Sequence, residues 1–375
     1  MMPMDLQRQR RARRWVWGCT GGCLGCILLA ALAVFLTARY LLEPVPVVPP
    51  QTFLTQQTSA FVIARVDPAV PLTVVTAQAL AGLLGERGAD PVLNREAMEA
   101  CLSIFPPLQC VLMVQRGASG GATHGGLAVS VKRGSRLLTR LTEAEVARAT
   151  QPPAQFTAYD GAKMAALAKD FFVALRKNNV MLADSQDVIK AWTDALQAAR
   201  EREAEEGSGP PPVDLSPAFK AVYDRLDTSL PLLFASLNVH GELESLAGLA
   251  GDPEARDLLE RSGVLSEDIV SLAGQVRPLD ANTGELTLFI ECPSAQAANA
   301  LVIRLAEVQS QAGARWPLKR MSARSNATLV TVNGRVEDLP AKAAYIVNGV
   351  IRGVHGKPGE QRAPVKATEG PTIST

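Results

Sequence analysis

The sequence predicts an α+β protein. It reads as an N-terminal transmembrane helix followed by two tandem β-α-β-β-α-β domains of ferredoxin-like, split β-α-β order, with helices on one face of antiparallel sheets. Three observations predict this. An uncharged run, Trp15 to Ala38, follows a cluster of arginines. Short β-branched stretches alternate with helical periodicities over the rest of the chain. The order of those elements repeats on either side of a break rich in charge, glycine and proline, Glu201 to Asp214.

The N-terminal run comes first. Arg8, Arg10, Arg11, Arg13 and Arg14 stand against Asp5 in residues 1–14. The uncharged run that follows makes roughly 36 Å of helix, enough to cross a hydrocarbon core with some tilt. The arginines place the N-terminus in the cytoplasm and everything after Leu42 outside. The expectation is a single-pass signal anchor in a bacterial inner membrane, with periplasmic C-terminal domains. Cleavage as a signal peptide is the rival, because Ala31-Leu32-Ala33 and Thr37-Ala38 supply small residues, but the run exceeds a typical signal-peptide core.

Cys19, Cys23 and Cys26 share the C-x3-C-x2-C spacing of radical-SAM iron–sulfur sites. No alternating barrel pattern opens the chain, and Gly25 stands where an aromatic usually precedes the last cysteine. On a helix the three are small apolar residues on one face. Gly18 with Gly22, and Gly21 with Gly25, form two G-x-x-x-G pairs, so these four glycines are candidates for helix association and for a homodimer through the membrane helix.

Composition narrows the partners. The chain has 375 residues, 47% hydrophobic and 20% charged, an ordinary globular balance. Its formal net charge is +1, and the first 14 residues supply a surplus of four, which leaves −3 for the remainder. With no overall basic excess outside the membrane, nucleic acid is not an expected partner. Cys101, Cys110 and Cys292 follow the anchor, an odd number. Cys101 and Cys110 are candidates for a disulfide in an oxidising compartment, and two buried thiols are the equal alternative.

The remaining elements follow in order. Glu43 to Pro50, EPVPVVPP, reads as an extended, semi-rigid stalk. Ala60–Val66 is a strand, Asp67-Pro68 breaks it, and helices follow over Val70–Leu84 and Val92–Leu102. Gln109–Gln115 and Gly126–Arg133 are strands joined by a glycine-rich loop. Leu141–Ala149 is a helix with Thr142 as its cap and Glu143 and Glu145 in its first turn. Strands at Ala154–Tyr159, Phe171–Arg176 and Asn179–Asp184 come next, with Lys177-Asn178 as the turn between the last two. Val188, Ile189, Trp192, Ala195, Leu196 and Ala199 then mark an amphipathic helix over Ser185–Glu203.

The second half repeats this order. A strand at Pro231–Val239 precedes two short helices, Gly241–Leu249 and Pro253–Ser262. Strands at Glu267–Val276 and Gly284–Cys292 precede a helix over Pro293–Gln311. A hairpin over Leu318–Ser325 and Ala327–Gly334 leads to a last helix, Val336–Ile351. The two hairpins also align locally, with Arg324 opposite Arg176, Asn326 opposite Asn178 and Leu329 opposite Met181. The expected organisation is therefore a basic tail (1–14), the transmembrane helix (15–42), the stalk (43–52), an α+β domain (53–203), a linker (204–214), a second α+β domain (215–356) and a disordered tail (357–375).

SAFVIARVDP and NNVMLADSQDVIKA resemble segments of bacterial membrane-anchored proteins of unknown function whose ectodomains repeat a strand-then-helix unit. The resemblance covers scattered pieces totalling about 40 residues. It implies location and architecture and carries no catalytic residue.

Chemistry is sparse. Gly117-Ala118-Ser119-Gly120-Gly121 matches G-x-S-x-G, the nucleophile elbow of α/β-hydrolases, but a strand follows where the elbow needs a helix. His124, His240 and His355 show no ligand spacing, and no glycine-rich phosphate loop follows a strand. Glu242 with Glu244 and Glu267 with Asp268 fall at helix starts or strand edges, where charge serves solvation. Asn326-Ala327-Thr328 is a glycosylation sequon inside a tight hairpin. No cofactor, metal or catalytic residue is expected. The functional expectation is a non-enzymatic, membrane-anchored envelope protein whose duplicated domain binds a protein or other partner as an adaptor or scaffold. The alternatives are a tethered hydrolase around Ser119 and a sensory ectodomain acting through a separate membrane partner.

Overall fold

Residues of high β propensity, Phe61, Val62 and Ile63 among them, build strand β1 over Thr58–Val66, with Phe61 and Ile63 buried and Val62 turned partly to solvent. The computed structural model describes residues 40, 43–73, 107–116, 123–150, 154–168, 171–206, 215–238, 257, 261–263, 269–313, 316 and 318–340. Eleven further strands follow: β2 (Leu108–Arg116), β3 (Thr123–Val131), β4 (Thr157–Tyr159), β5 (Ala162–Ala168), β6 (Phe171–Arg176), β7 (Asn179–Ala183), β8 (Leu232–Leu237), β9 (Ser271–Pro278), β10 (Gly284–Glu291), β11 (Leu318–Asn326) and β12 (Leu329–Val336). The helices among the described residues are a 3-10 turn (Pro50–Phe53), α1 (Ser135–Ala149), α2 (Gln186–Glu206), α3 (Pro217–Tyr223) and α4 (Ala295–Ala312).

The strands form one twelve-stranded antiparallel sheet, ordered β11-β12-β10-β9-β8-β1-β2-β3-β7-β6-β5-β4. This corrects the expectation of two ferredoxin-like domains. A ferredoxin-like order needs the first two strands of each half separated by a third. Here β8 pairs directly with β9, and β1 pairs with β8, both antiparallel. Periodicity reports which face of a strand is buried but not which strand it bonds, so element order alone led to the wrong sheet. One split β-α-β unit does occur: α4 carries the chain from β10 to β11, and β12 returns between them, antiparallel to both. Read outward from β8 the neighbours are β9, β10, β12 and β11; read outward from β1 they are β2, β3, β7 and β6.

No helix among the described residues is long and apolar enough to cross a membrane. The expected membrane helix lies outside the described residues except at Tyr40. The same holds for the C-terminal tail, for most of the expected helices at Val70–Leu84, Val92–Leu102, Gly241–Leu249 and Pro253–Ser262, and for that at Val336–Ile351 beyond residue 340, where Val336 instead ends β12.

Two compact units divide the chain. The first comprises Met1–Phe53, Ser103–Cys110 and Leu127–Pro211; the second comprises Leu54–Leu102, Val111–Gly126 and Pro212–Thr375. In the first, three successive hairpins join β4 to β7. Strand β5 is absent from the sequence reading, because its AKMAALA is poor in β-formers. The hairpin leading into it is nonetheless encoded at Asp160-Gly161, where both residues have positive φ (43° and 73°), the conformation that a two-residue loop matching the strand twist requires. Helix α1 begins at Ser135, six residues before the expected start. Its first turn carries Arg136 and no acid, the opposite of the charge signal that pointed to Thr142. On α2, Val188, Ile189, Trp192 and Leu196 are buried, the stripe expected from their spacing.

In the second unit, Ser294 caps α4 by accepting the Ala297 N–H at 3.1 Å. Ala298, Leu301, Leu305 and Val308 then pack on Ile290, Val330 and Val332 of the sheet. The β11–β12 and β6–β7 loops each have two residues, with positive φ at the first, Ala327 (52°) and Lys177 (50°). The loops thus match Ala327 with Lys177 and Thr328 with Asn178, two positions away from the sequence alignment.

Gly274 of β9 stands opposite Phe234 of β8, and a Cβ there would lie 2.2 Å from Phe234 Cζ. The ring occupies the space that a side chain would need. Gly274→Val should therefore lower stability by about 1–3 kcal/mol through overpacking. Urea unfolding of the full chain in detergent measures this, and the loss should shrink in a Phe234→Ala background. An unchanged midpoint in the Phe234 background would exclude the clash.

Candidate functional site

The best-defined polar constellation lies in the first unit, where the Pro-rich segment Glu43–Pro50 meets the sheet. Pro44, Pro46, Pro49 and Pro50 have no N–H, so the segment cannot make a full strand ladder. It joins the unit by separate bonds instead. The Val45 N–H donates to the Lys132 carbonyl at 2.8 Å. Asn178 Nδ2 donates to the Pro46 carbonyl and to the Val131 carbonyl, both at 3.0 Å. Gln109 Nε2 donates to the Val48 carbonyl at 3.2 Å.

The side chains that hold the segment are themselves held. Asn178 is fully buried, and Asn179 and Gln109 are nearly so. Asn179 Nδ2 donates to Asn178 Oδ1 at 3.2 Å, and Ser130 Oγ donates to Asn179 Oδ1. The Val131 N–H donates to the Asn178 carbonyl at 3.0 Å. Both carbonyls facing the Asn178 amide are therefore matched by donors, which fixes the amide's orientation. Next to the turn, the buried Arg176 guanidinium donates to the Thr193 carbonyl and to Gln197 Oε1, with Asp160 Oδ2 at 3.8 Å. Arg176 thereby ties the end of β6 to α2.

The segment ends in the 3-10 turn, where Phe53 is wholly buried and meets Trp192 edge-on at 5.9 Å between centroids. At its other end Arg136 Nη1 lies 3.1 Å from Glu43 Oε2 and donates to the Tyr40 carbonyl at 3.0 Å. The Arg136 guanidinium also sits 3.8 Å above the Tyr40 ring. Magnitudes rank these contacts. Each buried amide bond contributes about 1 kcal/mol, and burial of Phe53 about 2–3 kcal/mol. The half-exposed Arg136–Glu43 pair contributes at most about 1 kcal/mol. The amide donors and Phe53 hold the segment, and Arg136 orients its outer end.

The residues singled out from the sequence are dispersed or undescribed. Gly18, Gly21, Gly22, Gly25, the cysteines of the N-terminal run, Cys101, Ser119, His240 and His355 lie outside the described residues. His124 is half-buried in β3. Cys110 is a partly buried thiol in β2, and Cys292 is buried. Among the described residues, no group of three or more His, Cys, Asp or Glu is placed to hold a metal ion. Asn178, Asn179 and Gln109 were not singled out. Lys177-Asn178 reads as an ordinary exposed turn, and the available signal was two successive asparagines between the apolar runs FFVAL and VMLA.

The chain matches no family model, no curated protein and no solved structure. The geometry of the strapped segment therefore stands by itself.

Asn178→Ala removes both bonds to the Pro46 and Val131 carbonyls and should destabilise the chain by about 2–3 kcal/mol. Limited proteolysis should also cleave 43–50 faster in the variant, and an unchanged cleavage rate would show that Asn178 does not hold the segment. Burial pushes the Cys110 thiol up from 9.0 to about 12, so the folded chain disfavours the thiolate. The direction follows: stability is unaffected below pH 9 and falls as pH rises above it until the folded pKa is reached. The difference in unfolding free energy between the parent and Cys110→Ala, measured from pH 7 to 11, isolates this group. A flat difference would contradict it.

Proposed function

We propose that this protein is a single-pass, membrane-anchored binding protein of a bacterial envelope, which acts as an adaptor or scaffold with its N-terminus in the cytoplasm and its folded units outside. The anchor is residues 15–38 of the expected spanning segment. The observation that carries the reading is the fastening of 43–53 to the first unit by Asn178, Gln109 and Phe53. A freely swinging tether suits a domain that must search for its substrate. A chain fastened within a few residues of an anchor suits one that must present a surface at a set height and orientation. The occupant of that surface is a protein of the same envelope, in keeping with the absence of an overall basic excess outside the membrane.

Pull-down of the full-length chain from detergent-solubilised membranes, beside a version lacking Gln51–Thr375, tests this reading. A protein that copurifies with the full chain and is lost with the deletion supports an adaptor. If the full chain retains no protein that the deleted chain lacks, the adaptor reading is overturned, and hydrolase assays with Ser119→Ala as control become the next measurement.

A further inference from the structure

We propose that the anchor-proximal end of the first unit is a basic patch that lies on an anionic bilayer surface, with Lys132, Arg133, Arg136, Arg140 and Lys177 over the lipid headgroups and Leu141 in the interface. The proposal rests on the anchor reading above and goes beyond it, since an anchor alone requires no contact between the folded unit and the lipid.

Proximity is the first argument. The uncharged run ends at Ala38, two residues before Tyr40. The Tyr40 carbonyl accepts from Arg136, and its ring lies under the same guanidinium. Two residues span at most about 7 Å. A bilayer that holds 15–38 therefore lies within roughly one Debye length, about 8–10 Å, of the Arg136 contact. Charge located there is only partly screened by salt, whereas charge several Debye lengths away would be largely screened.

The sign and placement of the charge are the second argument. Lys132 and Arg133 follow directly after β3, and Arg136 and Arg140 stand one turn apart on α1, all four exposed. Lys132, Arg133 and Arg140 make no ion pair with a described residue, while Glu43 offsets Arg136 in part. The acids of α1 are committed elsewhere, Glu143 to Lys163 at 2.6 Å and Glu145 to Arg148 at 2.6 Å. Thr139 Oγ1 donates to the Lys177 carbonyl at 3.4 Å, which brings exposed Lys177 of the β6–β7 turn beside α1. The Arg200 guanidinium, helped by slight burial and by Arg176, holds the Lys177 ammonium below the usual lysine range.

The apolar element is the third argument. Leu141, directly after Arg140, is 43% exposed, one of few large hydrophobic side chains so exposed among the described residues, and Tyr40 is another at 55%. A tyrosine and a leucine set among arginines match the headgroup layer, which favours amphipathic rings and long cations together.

The test uses the full chain reconstituted in lipid discs of neutral phosphatidylcholine, or with roughly 30% phosphatidylglycerol added, read by hydrogen exchange over residues 132–141. Carbonate extraction of the same chain from membranes reports the anchor separately. The expected result is retention after carbonate together with slower exchange in the anionic discs, at least about five-fold for each cation engaged. The slowing should disappear at about 0.5 M salt. It should also disappear in the Lys132→Glu, Arg133→Glu, Arg140→Glu variant, whose melting should match the parent because all three side chains are exposed. Retention with equal exchange in both discs overturns the patch and leaves the anchor standing. Release by carbonate overturns the anchor, and the patch with it. Equal slowing by inorganic phosphate in neutral discs assigns the cations to a soluble anion and overturns the bilayer proposal.

Discussion

Proline's missing donor governs how the chain enters this fold. In Glu43–Pro50 four of eight residues have no N–H, so the segment offers chiefly carbonyl oxygens to the unit it lies against. A sheet edge would offer it alternating donors and acceptors, half of them unmatched. The unit instead presents side-chain amides, Asn178 to the Pro46 carbonyl and Gln109 to the Val48 carbonyl, with the Val45 N–H returned to Lys132. A side-chain amide suits this task because its NH2 can serve two carbonyls at once, as Asn178 does with Pro46 and Val131. Burying it requires that its own oxygen be matched too, and Asn179 and Ser130 exist in that position to complete the chain of bonds.

This arrangement sets demands on the β6–β7 hairpin that supplies it. Asn178 reaches the segment because the turn is only two residues long and Lys177 adopts φ 50°, which turns the next residue inward. The equivalent loop between β11 and β12 has the same length and the same positive φ at Ala327, but it places Thr328 where Asn178 stands. Thr328 donates to Glu291 of the adjacent strand and serves the sheet alone. One backbone conformation thus carries two uses, and the residue after the left-handed position decides between them.

These particulars explain what could be read from the sequence. Strand faces and the α2 stripe were legible because burial imposes a period, and Trp192 with Ile189 and Leu196 fell where that period put them. Strand partners were not legible, since β8 could satisfy its pattern equally against β9 and β1 or in a separate sheet. The alanine-rich β5 was hidden by composition and exposed only by the Asp160-Gly161 turn before it. The strap was hidden for another reason. Its acceptors are backbone atoms with no sequence signature, and its donors are asparagine and glutamine, which are usually exposed and therefore read as solvent-facing.

The same physics gives the strap its direction of influence. Backbone carbonyls of a proline-rich chain lose little entropy on docking, because proline has already restricted φ in the undocked segment. The cost of holding it is therefore small, and a few buried amide bonds with one buried phenylalanine suffice. At the outer end the bonds change character: Arg136 binds Tyr40 and Glu43 through exposed, salt-sensitive contacts. The inner half is thus fixed and the outer half adjustable. An anion that competes with Glu43 for Arg136 would alter the outer half without disturbing Asn178, and a load applied at Tyr40 would reach Asn178 only after the Arg136 contacts had given way.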